Sequence, residues 1–179
     1  ACLVGSEMCI RDRTSSASKL ACQWLRKRLE PLLRDNLEVV DMGCGLNTLA
    51  GLPCKVIGLD RHDLPGVLQG KMENPLLADK SADVLIYSLS LYGTADDLRA
   101  YFSHARRILR GGGHLFIVEP ASSFTPDGQD RFVRSLELLG FENVKVVDMR
   151  DEDGTLLRGM HFTLTGEMGN VEEATFERK

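Results

Sequence analysis

The residues Asp41, Gly43 and Gly45 close an apolar run that begins at Val39 and Val40, and a second carboxylate, Asp60, follows about 20 positions after the first. Glycines in such a turn let backbone N–H groups approach a ligand closely. An acidic residue at the end of the next strand can accept both hydroxyls of a ribose. That combination cradles a nucleotide-like cofactor; the alternative for the same residues is a purely structural strand-to-helix turn.

The spacing argues against a dinucleotide. A pyrophosphate-binding fingerprint carries a third glycine at the start of a helix, whereas here Gly45 is followed by Leu46, Asn47 and Thr48. No Walker-type Gly-Lys-Ser/Thr is present either. A ligand with a ribose and an amino-acid end but no phosphate fits, and S-adenosylmethionine is the common one. Cys44, between the two glycines, reads as a small filler beside that cofactor rather than as a nucleophile. His62, His104, His114 and His161 show no metal-ligand spacing, so no metal site is expected and surface or satisfied core positions are expected for them.

The elements that must position these residues are legible from periodicity. Apolar residues at Leu20, Trp24, Leu25, Leu29 and Leu32 predict an amphipathic lid or packing helix from Ser15 to about Leu33. Strands are predicted at 37–41, 55–60, 67–72, 82–90 and 114–119. The segment 46–53 is too short and loop-like for a crossover helix. Thr94 is placed to cap a helix running to Leu109, which Gly111, Gly112 and Gly113 are expected to end. A helix over 127–139, closed by Gly140, leads into a hairpin of 141–149 with 157–165. Alternating strands and helices followed by a hairpin predict a Rossmann-like α/β fold, a mainly parallel, doubly wound seven-stranded sheet with an antiparallel terminal hairpin. In such sheets ligands lie beyond the carboxyl ends of the strands. Asp41 to Gly45, Asp60, Ser88 to Gly93, Glu119 and Pro120 all fall there. Glu119 could face that crevice or merely cap the next loop.

At 179 residues the chain is read as one domain over 14–166, followed by a polar, loosely ordered tail over 167–179. Residues 1–13 look like a translated library-adapter sequence, so they are set aside and the natural N-terminus is expected to be missing. The net charge of −4 does not advertise a nucleic-acid partner. Arg26, Lys27, Arg28, Arg34, Arg106, Arg107 and Arg110 are expected on solvated helix faces. Five cysteines without a C-x-x-C pair fit free thiols in a reducing interior. No apolar run reaches the roughly 18 residues of a membrane span.

The Asp41-Met42-Gly43-Cys44-Gly45 turn, Asp60, Asp79 to Asp83 and the triple glycine together resemble class I S-adenosylmethionine-dependent methyltransferases. The segment from Ser88 to Thr94, with Leu49-Ala50, Pro75 to Leu77, Arg107 to Gly113 and Leu139 to Phe141, resembles more narrowly the ribosomal RNA processing protein 8 family, the nucleomethylin-like enzymes. The resemblance covers roughly 37–165. It implies methylation of N1 of an adenine in large-subunit ribosomal RNA and a nucleolar location, with the cytoplasm as alternative. By position it implies Asp41, Gly43, Cys44, Gly45, Asp60, Arg61, Lys71, Met72, Glu73, Ser88 and Leu89 around the cofactor, and Ser88, Ser90 and Tyr92 around the methyl group and target base. Lys71 stands where the family carries an acidic partner for the adenine amine, a role open to Glu73 or Asn74. Two other readings stay open: a small-molecule or protein methyltransferase of the same fold, and a non-catalytic scaffold that keeps the cofactor.

Overall fold

Runs such as Val84-Leu85-Ile86-Tyr87 are apolar on both sides of a strand, so they stabilise a sheet covered on both faces. The computed structural model describes residues 15–178. The stretch 1–13, with Cys2 and Cys9, lies outside the described residues. The strands are β1 (Glu38–Met42), β2 (Lys55–Asp60), β3 (Leu68–Gln69), β4 (Ala82–Ser88), β5 (Leu109–Pro120), β6 (Phe141–Arg150) and β7 (Leu156–Leu164). They form one seven-stranded sheet in the order β3-β2-β1-β4-β5-β7-β6, in which β7 is antiparallel to both neighbours.

Helix α1 (Ser16–Leu29) buries Ala21, Leu25 and Leu29 against one face, over Val39, Val84, Ile86, Phe116 and Val118. It is a packing helix, and Ser15 caps it by accepting from the Ser18 N–H. Helices α2 (Ala95–Ile108) and α3 (Gly128–Leu138) cover the other face, where Tyr87, Phe102, Phe132 and Phe162 meet. Thr94 and Asp97 form a reciprocal capping box at the start of α2, as the Thr94 cap predicted. Strand β3 is shorter than the sequence suggests: glycines at 66 and 70 flank it, and among the described residues no outer partner extends it.

Two expectations need correction. The triple glycine does not end α2, which stops at Ile108 with Leu109 as cap. It lies inside β5, where register jumps from Ala82 opposite Leu109 to Val84 opposite His114, and Gly112 takes φ +74°. The second concerns the polar tail. Residues 166–178 pack on α2 and α3: Ala174 and Phe176 are buried, and Phe176 lies 5.1 Å from Phe102 and 5.7 Å from Phe132 between ring centroids. Met168, Val171, Ala174 and Phe176, scattered through thirteen residues, carry too little periodicity to announce a packed segment.

On the α1 face, the rings of His114 and His161 meet at 2.9 Å, and His161 stacks on Phe116 at 4.3 Å between centroids. Burial, then the neighbouring His114 and Arg28, push the His161 ring down to about 4. The unfolded ring takes a proton below about pH 6.5, the folded one only near 4, so its contribution to stability is complete above about 6.5 and lost as pH falls toward 4. The expected loss is about 2–3 kcal/mol. Urea denaturation at neutral and mildly acidic pH should show it, and His161→Phe should flatten the slope.

Candidate functional site

Parallel strands β1, β2 and β4 end together, and each hands the chain to a turn whose amides and side chains face the others. After β1, the N–H groups of Gly43 and Cys44 both donate to the Leu59 carbonyl, at 2.7 and 3.1 Å. Gly43 has φ +69°, and a Cβ there would lie 2.7 Å from Ser90 Cβ and 3.2 Å from Met72 Sδ. Glycine is therefore required twice, by conformation and by the approach of two other segments. Gly45 turns with φ +53° and aims its N–H at Asp60 Oδ2, 3.0 Å away.

Asp60 ends β2 almost fully buried, at 4% exposure. Burial opposes its charge, but the backbone N–H groups of His62 and Gly45 and the His62 ring outweigh it and hold the carboxyl below the usual carboxylate range. Oδ1 meets the His62 N–H at 3.0 Å and the ring Nδ1 at 2.9 Å, whereas Oδ2 takes Gly45 alone among the described residues. A carboxylate oxygen accommodates about two donors, so Oδ2 keeps acceptor capacity for a ribose hydroxyl. The set fits a ribose-bearing cofactor. His62 was missed by sequence reasoning; its place two residues beyond the acidic strand end was the available signal.

Beyond β4 the backbone is forced. Leu89 adopts φ +53°, an unfavourable region for a side chain with a Cβ, and its N–H donates to Val118 O at 2.8 Å. This turn separates the site residues onto two sides of the sheet. Asp41, Ser88 and Leu89 line a small cavity beneath α1 together with Ser18, Cys22 and Thr48. Gly43, Ser90 and Met72 meet on the other side. The Ser90 hydroxyl donates to Met42 O at 2.8 Å and ties the ends of β4 and β1 together. Tyr92 is 56% exposed, and Leu46, after the glycine turn, is 50% exposed. Glu119 faces the crevice, since its Oε1 accepts from both the Ser90 and Leu91 N–H groups.

Other residues of the predicted set sit at the edge. Cys44 is buried, its sulfur against Gly58, where a Cβ would come within 2.6 Å. It fills space, and Cys22 and Cys54 are free thiols. Arg61, Lys71 and Glu73 are exposed, while Met72 is buried. The loop carrying Met72 is held from α2: Arg107 donates to Leu77 O and Asp79 Oδ1, each at 2.6 Å, and to Pro75 O at 3.1 Å. Arg106 likewise caps Leu139 O and Gly166 O, and Arg110 pairs with Glu38 and Asp83. Arg106 and Arg107 are fasteners rather than the solvated faces expected, whereas Arg110 pairs while its side chain stays 41% exposed. Arg107→Ala is expected to cost about 1–3 kcal/mol in denaturant unfolding, because partly buried carbonyls lose a charged donor. Arg107→Lys should recover only part, lacking the planar fork.

A family model described as "Hypothetical methyltransferase" matches residues 16–175. The chain is 30% identical over 129 residues to the Schizosaccharomyces pombe 25S rRNA (adenine(645)-N(1))-methyltransferase, covering 69% of this chain and 40% of that protein. It is 33% identical over 144 residues to the Arabidopsis thaliana ribosomal RNA-processing protein 8, covering 77% and 48%. The chain thus spans less than half the length of either relative. Among solved structures, a Burkholderia thailandensis 1,6-didemethyltoxoflavin-N1-methyltransferase aligns with TM-score 0.69 at 15% identity, over 85% of this chain and 80% of that one. That likeness carries the fold alone, and it is the Rossmann-like fold expected from the strand order.

Proposed function

Given that this chain belongs to the hypothetical methyltransferase family whose model spans residues 16–175, we propose that it transfers a methyl group from S-adenosylmethionine to N1 of an adenine in large-subunit ribosomal RNA. The observation that carries the cofactor half of this reading is the contact between Gly45 N–H and the buried Asp60 carboxylate. It locks the glycine turn to an ionised acceptor at the ribose position. The named relatives support the acceptor half. A nucleolar location belongs to the same proposal.

When bound, S-adenosylmethionine supplies a methyl group on a cationic sulfur, open to in-line displacement by the in-plane lone pair of adenine N1. The residues around it therefore have orientation and desolvation to provide rather than a general base. Asp60 holds the ribose, Gly43 and Gly45 leave room for the methionine end, and Met72 flanks the adenine. Ser88 and Leu89 line the cavity on the α1 side of the same strand end. Ser90, whose hydroxyl is bound to Met42 O, acts by position, and Tyr92 offers an exposed ring for the target base to stack on. Arg61, Lys71 and Glu73 rim the adenine side.

The net charge of −4 and the internal use of Arg106, Arg107 and Arg110 favour a second reading, the same chemistry on a small molecule or protein. Radiolabelled methyl transfer into ribosomal RNA, followed by nucleoside analysis, tests the first reading: N1-methyladenosine is the expected product. Turnover that persists unchanged as salt is raised would favour the second, because phosphate-dominated binding weakens steeply with salt. Tight cofactor binding without transfer to any acceptor would favour a scaffold.

A further inference from the structure

The carboxylate of Glu119 joins two segments that are far apart in sequence. It is 3% exposed, next to last in β5, and its Oε1 accepts from the consecutive N–H groups of Ser90 and Leu91 at 3.1 and 3.0 Å. Its Oε2 accepts from the Arg178 guanidinium at 2.7 Å. Arg178 is delivered there by a well-fastened path. Arg99 donates to Val171 O and Ala174 O, the Ser135 hydroxyl donates to Thr175 O while accepting from Thr175 N–H, and Phe176 fills the aromatic cluster. The guanidinium then lies 5.8 Å over the Phe124 ring, with only 13% of the side chain exposed.

We propose that Arg178 is a positioning residue for methyl transfer: by fixing the Glu119 carboxylate on the Ser90 and Leu91 amides, it sets the β4 exit loop against which the acceptor must lie. The proposal rests on the methyltransferase reading above and extends it to the segment that follows β7. Two amides on one carboxylate oxygen make a strong hold only while the carboxylate is charged. Burial raises the affinity of Glu119 for a proton, and Arg178 leads the groups that oppose this. Among the described residues no other side chain does the same work: Arg158, opposite Glu119 in the register of β7, is paired with Asp148 at 2.8 Å, and the β4 exit loop contributes amides. Without Arg178 the carboxyl takes up its proton at higher pH, the amides lose a charged acceptor, and the turn built on the strained Leu89 loosens.

The test uses the full chain with Arg178→Gln and Arg178→Lys. In Arg178→Gln, kcat should fall about ten-fold or more near neutral pH and recover as pH rises, since ionised Glu119 is then restored. The S-adenosylmethionine Kd, read by calorimetry, should change less than about two-fold, because the Asp60 site is untouched. Arg178→Lys should restore most of the rate. A wild-type pH profile in Arg178→Gln, or equal loss of cofactor affinity, overturns the proposal. Should Arg178→Gln not fold, the double variant Glu119→Gln with Arg178→Met removes both charges. It should show a lowered rate that does not vary with pH, and a rate that still rises with pH overturns the assignment.

Amide hydrogen exchange at Ser90 and Leu91 separates this from the functional reading. If the wild-type protein methylates no RNA, that reading fails, yet exchange about ten-fold faster in Arg178→Gln still supports the positioning role and unchanged exchange overturns it.

Discussion

Asp60→Ala is expected to weaken S-adenosylmethionine binding by about a hundred-fold or more while leaving the fold intact. A ribose hydroxyl on a buried carboxylate makes a charge-assisted hydrogen bond, and such bonds contribute about 1.5–3 kcal/mol each. The substitution also removes the acceptor of the Gly45 N–H and of His62, so the glycine turn loses the contact that fixes it. Asp60→Asn keeps the shape and one carbonyl oxygen but not the charge, and should fall between the two. Calorimetric titration with S-adenosylmethionine and S-adenosylhomocysteine measures all three. Unchanged affinity in Asp60→Ala would place the cofactor away from this carboxylate.

Gly43→Ala is expected to destabilise the fold by about 2–4 kcal/mol, through the cost of a side chain in the left-handed region and overpacking against Ser90. The added Cβ would stand 2.7 Å from Ser90 Cβ, which is itself fastened to Met42 through its hydroxyl and to Glu119 through its N–H. Little can yield there without opening the crevice, so cofactor binding should be lost along with stability. Gly51→Ala provides the contrast. Gly51 has φ +88° but nothing within 4 Å, so it should cost only about 1–2 kcal/mol. Denaturant unfolding of both variants isolates the crowding; equal losses would mean that conformation alone makes glycine necessary at 43.

Strands were legible where burial on both faces makes them continuous. The run 82–88 announces itself by composition, and the switch from 3.6 to 2 in apolar period located the hairpin of β6 and β7. The cofactor turn was legible because glycine spacing is a backbone requirement that sequence records directly. Less visible were contacts whose partners are remote. Nothing local to Arg178 points to Glu119, 59 residues earlier. Arg106 and Arg107 look like any solvated pair until the carbonyls of Gly166 and Pro75 are placed beside them. The triple glycine was misread for a related reason: a glycine run ends a helix or shapes a bulge equally well, and only the register of β4 decides between them. His62 escaped because its value lies in an acceptor two residues away rather than in a motif of its own.

The placement of β7 between β5 and β6 sets a timetable for synthesis. A ribosome delivers β1 to β5 first, so during translation the inner edge of β5 waits with its N–H and C=O groups unmatched until two further strands have been made. Glu119 waits longer, because Arg178 follows the last strand. The nascent sheet thus carries an open edge and, at the same end, a carboxylate still without its cation, both calling for water or a chaperone. On the role proposed for Arg178, the crevice acquires its final shape only when that residue arrives, and a chain halted after β7 would hold the sheet in order while the β4 exit loop remained unset.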